Sequence, residues 1–396
     1  MFATWYDAQR KTSHAWLQEL HRHPETGFQE VRTAAFVADR LRDFGYEVTT
    51  GIGGTGVVGT LHGKSTSAQA PGRCIGFRAE LDALPMQEKS ELDYASEDAG
   101  RFHGCGHDGH MVTALTAAAF LARHRDFDGT VRFIFQPAEE LLSGARAMIA
   151  DGLLDRFPCD EVYALHNSPE LPAGHVGIPA SAALSSADDI NITIRANGAH
   201  GSMPHLGEDA VAAAAHFITA VQQAATRLVD ARASGVISFG LLQGGTARNI
   251  LPDTVRIEGT MRTTATDVRD RLADLLQDAA HATELMFGVL IEAEVNKVAP
   301  VTLNDPACVA ATVASAIRTV GTDRVVENAR SLMASEDFSE FLGRVPGAFF
   351  FVGQGGYAPH HPKFIFDPDI IPVGAAIFAE LARLRTNRTL NSHHLN

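Results

Sequence analysis

The sequence repeats one arrangement: an apolar run typical of a buried β-strand, then residues of metal-binding types, then a helix. Residues 130–135 (TVRFIF) and 161–165 (EVYAL) are near-continuous apolar runs of the kind buried in parallel sheets. Glu139 and Glu140 follow the first run, and His166 follows the second. Sites in open α/β sheets form outside the carboxyl ends of the strands. The pattern therefore predicts an α/β fold with a crevice in which these side chains meet.

The stretch 102–110 (FHGCGHDGH) adds one thiol and three imidazoles, separated by glycines that allow sharp backbone turns. An Ala/Leu-rich run over 111–121 follows and predicts a buried helix. Cys105 and His107 are therefore expected on a loop leading into a helix N-terminus, where the dipole favours a thiolate. A thiolate and an imidazole two residues apart suit a metal such as zinc. Taken alone, this pair also fits a buried or reactive cysteine beside surface histidines.

Two further strands end in residues of the same types. Residues 74–81 (CIGFRAEL) lead to Glu80 and Asp82, and residues 348–352 (AFFFV) precede a loop with His360 and His361. Four strand ends would thus contribute to one crevice, which argues against coincidence. The predicted metal ligands are Cys105, His107, Glu140, His166 and His360. The other histidines of these motifs, His103, His110 and His361, are left as structural residues or as partners of ligands.

Adjacent carboxylates at a strand end can diverge, one onto metal and the other onto water. A bound metal lowers the pKa of its water to about 7, but a base must still take the proton. Glu139 is the candidate general base, although two neighbouring glutamates also fit a simple charge pair at a helix N-terminus. Asp82 is expected to orient a ligand imidazole, although an aspartate at a strand end often has no such role.

The length of 396 residues exceeds what one hydrophobic core usually serves and predicts two domains. Between residues 188 and 297 the pattern changes to β-α-β-β-α-β, the order of a ferredoxin-like unit. We therefore expect a domain of residues 188–297 inserted into a catalytic domain of residues 1–187 and 298–396. The polar tail 386–396 is expected to be frayed.

The formal charge of −14 argues against nucleic acid or an anionic membrane surface as a partner. The four cysteines are few and scattered, which does not suggest a disulfide framework and fits a reducing compartment. The first residues lack a signal-peptide pattern, and no apolar run approaches the ~20 residues needed to span a bilayer. These features predict a cytoplasmic protein.

Four motifs occur together: 77–85 (FRAELDALP), 105–110 (CGHDGH), 137–140 (PAEE) and 336–338 (EDF). In combination they resemble the dinuclear metallo-amidohydrolase family of hippurate hydrolases, N-acyl-amino-acid amidohydrolases and auxin-conjugate hydrolases, within the aminoacylase and carboxypeptidase G2-like superfamily. The likeness extends from 20–25 (LHRHPE) to the final helix. It implies a metallopeptidase-like catalytic domain with a mixed, mostly parallel sheet and an inserted ferredoxin-like α+β lid. It also implies a homodimer formed through the lid, with a tetramer as the alternative.

The resemblance further implies that the five ligands hold two divalent metal ions, with Cys105 bridging both. Zinc is expected first, with manganese, cobalt or nickel as alternatives. In the inserted domain, 199–205 (AHGSMPH) resembles the segment whose first histidine, His200, helps to hold the substrate. Residues 244–253 (GGTARNILPD) resemble the substrate-facing turn, with Asn249 as the matching residue and Arg248 beside it as a cation for an anionic group. Glu80 replaces a common Asp and Ala334 a common Gly, departures that bear on specificity.

The resulting hypothesis is hydrolysis of the amide bond of an N-acyl-amino acid to a carboxylic acid and a free amino acid. Glu139 would transfer the proton, and His200 of the partner subunit would stabilise the oxyanion. A dipeptidase or a deacetylase of a biosynthetic N-acyl intermediate is an alternative. A metal-dependent binding protein without catalysis is an alternative from another class, against which the presence of Glu139 argues. The acyl group and the amino acid remain open.

Overall fold

The structure is a computed structural model that describes residues 1–64, 72–230 and 233–386. Of the predicted frayed tail, residues 387–396 lie outside the described residues. In the described residues the α-helices are α1 (Phe2–Arg22), α2 (Val31–Asp43), α3 (His107–Arg123), α4 (Gly144–Ala150), α5 (Leu153–Arg156), α6 (Ala210–Leu228), α7 (Thr266–Phe287), α8 (Pro306–Val320), α9 (Ser339–Leu342) and α10 (Ile371–Thr386). The strands are β1 (Glu47–Ile52), β2 (Gly56–His62), β3 (Cys74–Glu80), β4 (Thr130–Gln136), β5 (Glu161–Ser168), β6 (Val176–Ile178), β7 (Ala182–Leu184), β8 (Ala187–Arg195), β9 (Ala199–His200), β10 (Gly235–Gly244), β11 (Ile250–Leu251), β12 (Thr254–Thr263), β13 (Leu290–Ala299), β14 (Thr302–Leu303), β15 (Val325–Glu327) and β16 (Gly347–Gly353).

The chain divides into two compact units. Unit 1 comprises Met1–Ala183, Leu303–Arg330 and Asp337–Asn396, and unit 2 comprises Leu184–Thr302 and Ser331–Glu336. Unit 2 therefore includes a short segment, Ser331–Glu336, which the sequence pattern placed with the carboxy-terminal part of the catalytic domain.

Unit 1 is built on an eight-stranded sheet in the order β1-β2-β4-β3-β5-β16-β6-β15. Its central strands β4, β3, β5 and β16 run parallel, whereas β1, β2 and β6 introduce antiparallel pairings. The predicted mixed, mostly parallel sheet is confirmed. Because the four central strands are parallel, their carboxyl ends meet at one edge, where an α/β fold forms its sites. The side chains following these strands therefore lie close together.

The central strands are apolar because both faces of the sheet are covered. β16 and most of β5 are buried, and α3 packs against β3 with nearly every residue from Met111 to Leu121 buried. The expected loop position of His107 is wrong, because α3 begins at His107 itself. The strand predicted before His166 includes this residue and continues to Ser168, because its ladder with β16 extends that far. Both side chains are therefore fixed by regular secondary structure.

Two glycines allow α3 to begin close to the rest of the core. Gly106 has φ +95°, and a Cβ there would lie 2.5 Å from the Asn167 side chain. A Cβ on Gly109 would lie 2.4 Å from the ring of Phe366. A side chain at Gly106 would push the start of α3 away from β5, and one at Gly109 would push it away from Phe366, so these glycines set the position of the neighbouring donors.

Unit 2 has its own core and its own sheet, in the order β10-β12-β8-β13 with antiparallel neighbours throughout. α6 and α7 supply most of the helical side chains of that core, including Phe217 and Leu276. The chain order β8-α6-β10-β12-α7-β13 is that of a ferredoxin-like unit. Asp209 begins α6 by accepting hydrogen bonds from the Val211 and Ala212 N–H groups. Within the described part of the chain, no helix combines the length and apolarity needed to cross a lipid bilayer.

Candidate metal centre

The structure brings the five predicted ligands together at the carboxyl edge of the unit 1 sheet. Cys105 Sγ lies 3.4 Å from His166 Nε2, and His360 Nε2 lies 3.3 Å from Glu140 Oε1. His107 Nε2 is 3.9 Å from the same Glu140 oxygen. Two ligands of one tetrahedral ion, each about 2.1 Å from it, stand roughly 3.4 Å apart. The observed separations therefore fit donors that share ions.

One buried atom at this place, His107 Nε2, lacks a hydrogen-bond partner in the described part of the chain. It faces Glu140 Oε1 at 3.9 Å. Buried polar atoms are normally paired, because an unpaired one costs free energy. An imidazole nitrogen and a carboxylate oxygen both satisfied by one cation would account for the pair. The donor set thus fits a transition metal.

The donors fall into overlapping groups in which all ligand atoms lie within 4.8 Å of one another. These groups are Cys105, His107 and His166; Cys105, Glu140 and His360; and His107, Glu139 and Glu140. Cys105, His107 and Glu140 each belong to two of these groups. The arrangement therefore offers enough donors for two ions, with donors shared between the sets.

The protein groups give this cluster a strongly negative electrostatic character. Burial alone would lower the pKa of His107. Hydrogen bonding to Asp82 and the charges of Glu80, Asp82 and Glu140 instead raise this pKa to about 10. Hydrogen bonding to Glu140 likewise raises the pKa of His360. Buried carboxylates thus attract protons onto the imidazoles. A metal cation would replace those protons, so binding should release protons and strengthen as the pH rises.

We predicted that the helix terminus favours a thiolate at Cys105. In the protein without a bound metal, this prediction is wrong. Burial and the nearby carboxylates of Glu140, Glu139 and Glu80 raise the pKa of Cys105 well above its ordinary value. These charges outweigh the helix dipole, which is equivalent to only about half a charge. A divalent metal ion deprotonates a coordinating thiol outright. Cys105 therefore depends on the metal for its thiolate form.

Hydrogen bonds on the far side of two of the imidazoles fix which nitrogen faces the cluster. His107 Nδ1 donates to the Asp82 backbone carbonyl at 2.8 Å and lies 3.4 Å from its Oδ1. His166 Nδ1 donates to the Asn167 carbonyl at 2.8 Å. Both rings therefore present Nε2 inward, as is usual for metal-bound histidines. Burial and the nearby His110 lower the pKa of His166 to about 3, so it is neutral and able to ligate.

Asp82 also connects two parts of the site. Its Oδ2 accepts a hydrogen bond from the Glu140 N–H at 3.0 Å. Asp82 therefore fixes the backbone of one predicted ligand with its carboxyl group and the ring of another with its backbone carbonyl. The structure places Asp82 where the sequence predicted an orienting role.

The glutamate pair is held in a tight, left-handed turn after β4. Ala138, which precedes Glu139, has φ +49°, an uncommon conformation for a residue with a side chain. The Glu30 carboxylate stabilises it by accepting a hydrogen bond from the Ala138 N–H at 2.9 Å. Glu139 is 6% exposed, and its Oε2 lies 3.8 Å from His107 Nε2. The backbone thus directs both neighbouring carboxylates into the cluster.

A buried network behind the site was not predicted from the sequence. Arg78 is 1% exposed and forms ion pairs with Glu80 and, at 3.2 Å, with Asp337. Glu80 in turn accepts from His110 Nδ1 at 2.9 Å, and His110 Nε2 lies 2.8 Å from Asn167 Oδ1. His110 is therefore occupied by protein partners, which agrees with its omission from the ligand set. The one available signal was the charged pair Arg78 and Glu80 inside an apolar strand.

The two other omitted histidines differ from each other. His103 is buried, and neither of its ring nitrogens has a hydrogen-bond partner among the described residues. Burial lowers the pKa of His103 to about 4, which keeps the ring neutral. His361 stacks on Tyr357 with ring centroids 4.1 Å apart and accepts from the Lys363 N–H at 3.1 Å.

The predicted substrate residues lie together in unit 2. β9 pairs with β11 so that His200 faces Ile250, and the Gly201 N–H donates to the Asn249 carbonyl at 2.8 Å. A cavity of about 690 Å³ is lined here by residues that include His200 and Ile250. Asn249 and the neighbouring Arg248 are both exposed.

The comparisons with known proteins agree with this geometry. The sequence matches the family described as "Peptidase family M20/M25/M40" over residues 76–384. It is 37% identical over 371 residues to a hippurate hydrolase of Campylobacter jejuni, covering 92% of this chain and 94% of that protein. It is 33% identical to an N-acetylcysteine deacetylase of Bacillus subtilis, covering 92% and 94% of the two chains. A solved Bacillus subtilis structure, described as a dinuclear metal binding peptidase from the M20 family, matches with a TM-score of 0.84 and 30% identity, covering 96% and 99%.

Proposed function

The chain belongs to the M20/M25/M40 peptidase family, and from this premise we propose that it cleaves N-acyl-amino acids into a carboxylic acid and a free amino acid. It is a metal-dependent hydrolase of linear amide bonds. The observation that carries the proposal is the cluster of one thiol, three imidazoles and two carboxylates, in which a carboxylate beyond the five ligands is available for proton transfer.

Cys105, His107, Glu140, His166 and His360 would hold two divalent metal ions, with Cys105 as the bridge. A thiolate together with imidazoles favours zinc, and manganese, cobalt or nickel are alternatives. When bound, the ions polarise the scissile carbonyl and lower the pKa of a water molecule. Asp82 maintains the orientation of His107 and the backbone of Glu140 through the hydrogen bonds described above.

Glu139 is proposed as the general base. Its carboxylate would take a proton from the attacking water and return it to the leaving amine nitrogen. Hydrogen bonds hold the backbone of its turn: the Glu139 carbonyl accepts from the Leu142 N–H at 2.6 Å, and Ala138 is held by Glu30. The backbone that carries the proposed base is thus positioned in advance.

His200 is proposed as the oxyanion donor. Its Nδ1 accepts hydrogen bonds from the Ser202 N–H at 3.2 Å and the Ser202 hydroxyl at 2.8 Å. In the neutral ring the proton then resides on Nε2, which is the donor an oxyanion requires. We propose that Asn249 and Arg248 bind the carboxylate of the amino-acid part. We also propose that unit 2 acts as a lid and forms a homodimer, with a tetramer as the alternative, and that His200 serves the partner's site.

A second candidate is a deacetylase of an N-acyl biosynthetic intermediate, or a dipeptidase. The likeness to the N-acetylcysteine deacetylase favours a small acyl group, and the likeness to the hippurate hydrolase favours an aromatic one. We further propose a cytoplasmic location, because the four cysteines are free thiols, as is usual in a reducing compartment.

A substrate panel separates these candidates. The chain loaded separately with zinc, manganese, cobalt or nickel is assayed on hippurate, N-acetyl- and N-benzoyl-amino acids and dipeptides. We expect release of the free amino acid from at least one N-acyl series, with a preferred acyl group. Cleavage of dipeptides alone would favour the dipeptidase. The absence of turnover with the whole panel, at full metal content, would contradict the proposal.

A further inference from the structure

Two of the four cysteines lie next to each other although 85 positions separate them in the sequence. Cys74 begins β3, and Cys159 lies two residues before β5. The Asp160 N–H donates to the Cys74 carbonyl at 2.8 Å, and the Cys74 N–H donates to Asp160 Oδ2 at 2.8 Å. An inter-strand backbone hydrogen bond thus joins Cys74 to the residue that follows Cys159, where neighbouring strands lie about 4.8 Å apart. Disulfides join Cα atoms about 4.4–6.8 Å apart.

The two thiols also lie on the same face of β3. A Cβ built on Gly76 would lie 3.1 Å from Cys159 Sγ, so this sulfur sits over Gly76. Residues 74 and 76 point to the same side of the strand because side chains alternate. The Cys159 thiol donates to the Phe157 carbonyl at 3.6 Å, and the Cys74 thiol is close enough for the two thiols to shift each other's pKa. Both cysteines are half-buried, which leaves a small oxidant a path to them.

A cation is placed beside one member of the pair. Arg132 is opposite Gly76 in the β3–β4 ladder, and because Gly76 has no side chain, the guanidinium can extend across β3. It donates to the Pro158 carbonyl and interacts with Cys159. The adjacent Cys74 thiol and the charge of Arg132 lower the pKa of Cys159, whereas burial opposes this effect. Cys159 is therefore the better nucleophile, and Cys74 retains its proton.

We propose that Cys74 and Cys159 form a redox-active pair which hydrogen peroxide converts into a disulfide. The Cys159 thiolate attacks one peroxide oxygen, the O–O bond breaks, and Cys159 becomes a sulfenic acid as the other oxygen leaves as water. The Cys74 sulfur then attacks the Cys159 sulfur, the S–O bond breaks, and a second water leaves. Two thiols thus lose two electrons and two protons, and hydrogen peroxide becomes two waters. A thiol reductant reverses the reaction by exchange.

The pair lies at the end of the sheet opposite the metal centre. Cys74 begins the strand that Glu80 ends, and six strand residues span about 20 Å. The disulfide would therefore form without contact with the metal ligands. This separates it from oxidation of Cys105, which would displace metal.

The test uses the full, metal-loaded chain treated with hydrogen peroxide, blocked with an alkylating reagent and digested. We expect one cross-linked peptide pair, Cys74 with Cys159, lighter by two hydrogen atoms and restored by dithiothreitol. In Cys74→Ser, Cys159 should accumulate as a sulfenic acid that dimedone labels. In Cys159→Ser, labelling of Cys74 should be about tenfold slower. Cys308→Ser, which alters a buried cysteine in α8, is the matched control and should leave the cross-link unchanged.

Arg132→Gln tests the role of the cation and should slow cross-linking severalfold while the disulfide still forms. Retained hydrolysis by Cys74→Ser shows that the variant is folded. The proposal is overturned if oxidation modifies Cys105 or links two chains while Cys74 and Cys159 stay reduced and are recovered as alkylated thiols. It is also overturned if Cys159 in Cys74→Ser reacts no faster than Cys74 in Cys159→Ser.

Discussion

Replacing His21 tests whether a buried charge network supports the start of α3. His21 is 2% exposed and lies between two buried carboxylates. Its Nδ1 donates to Asp108 at 2.6 Å, and its Nε2 donates to Glu88 at 3.1 Å. Asp108 follows the predicted ligand His107 in the first turn of α3. The charged ring thus connects α1 to the helix that supplies the metal centre.

The pKa of His21 sets the size of the effect. Although burial alone would lower it, hydrogen bonds to Asp108 and Glu88 raise this pKa from 6.5 to about 9. At about 1.4 kcal/mol per pH unit, the difference corresponds to about 3 kcal/mol of unfolding free energy. Because the folded-state pKa is the higher one, this stabilisation is complete below about pH 6.5 and is lost as the pH rises through about 9.

The assay is urea unfolding of the full chain, in which the unfolding of unit 1 is followed. A chelator is present so that metal binding does not contribute to the free energy of unfolding. Between about pH 6 and pH 10, the wild type should lose about 3 kcal/mol more than His21→Gln does. At neutral pH, His21→Gln should be destabilised by about 3–5 kcal/mol, because two buried carboxylates lose their cation. His281→Gln, which alters a side chain that is 72% exposed, serves as the control and should behave like the wild type. Equal pH dependence of the wild type and His21→Gln would refute the reasoning.

Three further predictions concern catalysis. Glu139→Gln should lower kcat by about 10²–10⁴-fold with both metals still bound. Glu140→Gln should also lose metal, as measured by elemental analysis. Near wild-type turnover in Glu139→Gln would exclude the base role. Masking the carboxylate of the substrate as a methyl ester should lower kcat/KM by about tenfold or more, and Asn249→Ala should abolish the difference between acid and ester; equal values for the acid and the ester in the wild type would argue against carboxylate recognition. Mixing inactive His200→Ala and Glu139→Ala chains should restore about a quarter of wild-type activity if His200 acts in the partner's site. Half of the dimers then contain one intact site. No recovery after verified subunit exchange would rule out action in the partner's site.

The sequence predicted the parts of the fold that local pattern determines. The apolar runs before Glu139 and His166 are strands, and their parallel pairing follows from burial on both faces. Because parallel strands end at one edge, the donors they carry could be placed together before any coordinates were known. Glycine spacing around Cys105 likewise indicated a tight approach, which Gly106 and Gly109 provide against Asn167 and Phe366.

The features that depend on contacts between distant segments were not predictable. The sequence gives no sign that Cys74 meets Cys159, or that Glu30 supports the turn before Glu139. The prediction that Cys105 favours its thiolate form was wrong for the same reason. A helix dipole can be inferred locally, but the opposing carboxylates arrive from other strand ends and exceed it at short range in a buried site.

The most direct test of the central claim is metal reconstitution. The purified chain is stripped with a chelator and titrated with zinc while release of the free amino acid from an N-acyl-amino acid is followed. We predict negligible hydrolysis by the stripped chain and recovery that saturates at two ions per chain, accompanied by proton release as His107 and Cys105 become ligands. Full hydrolysis by the stripped chain, or two bound ions with no hydrolysis of any N-acyl-amino acid, would contradict the account.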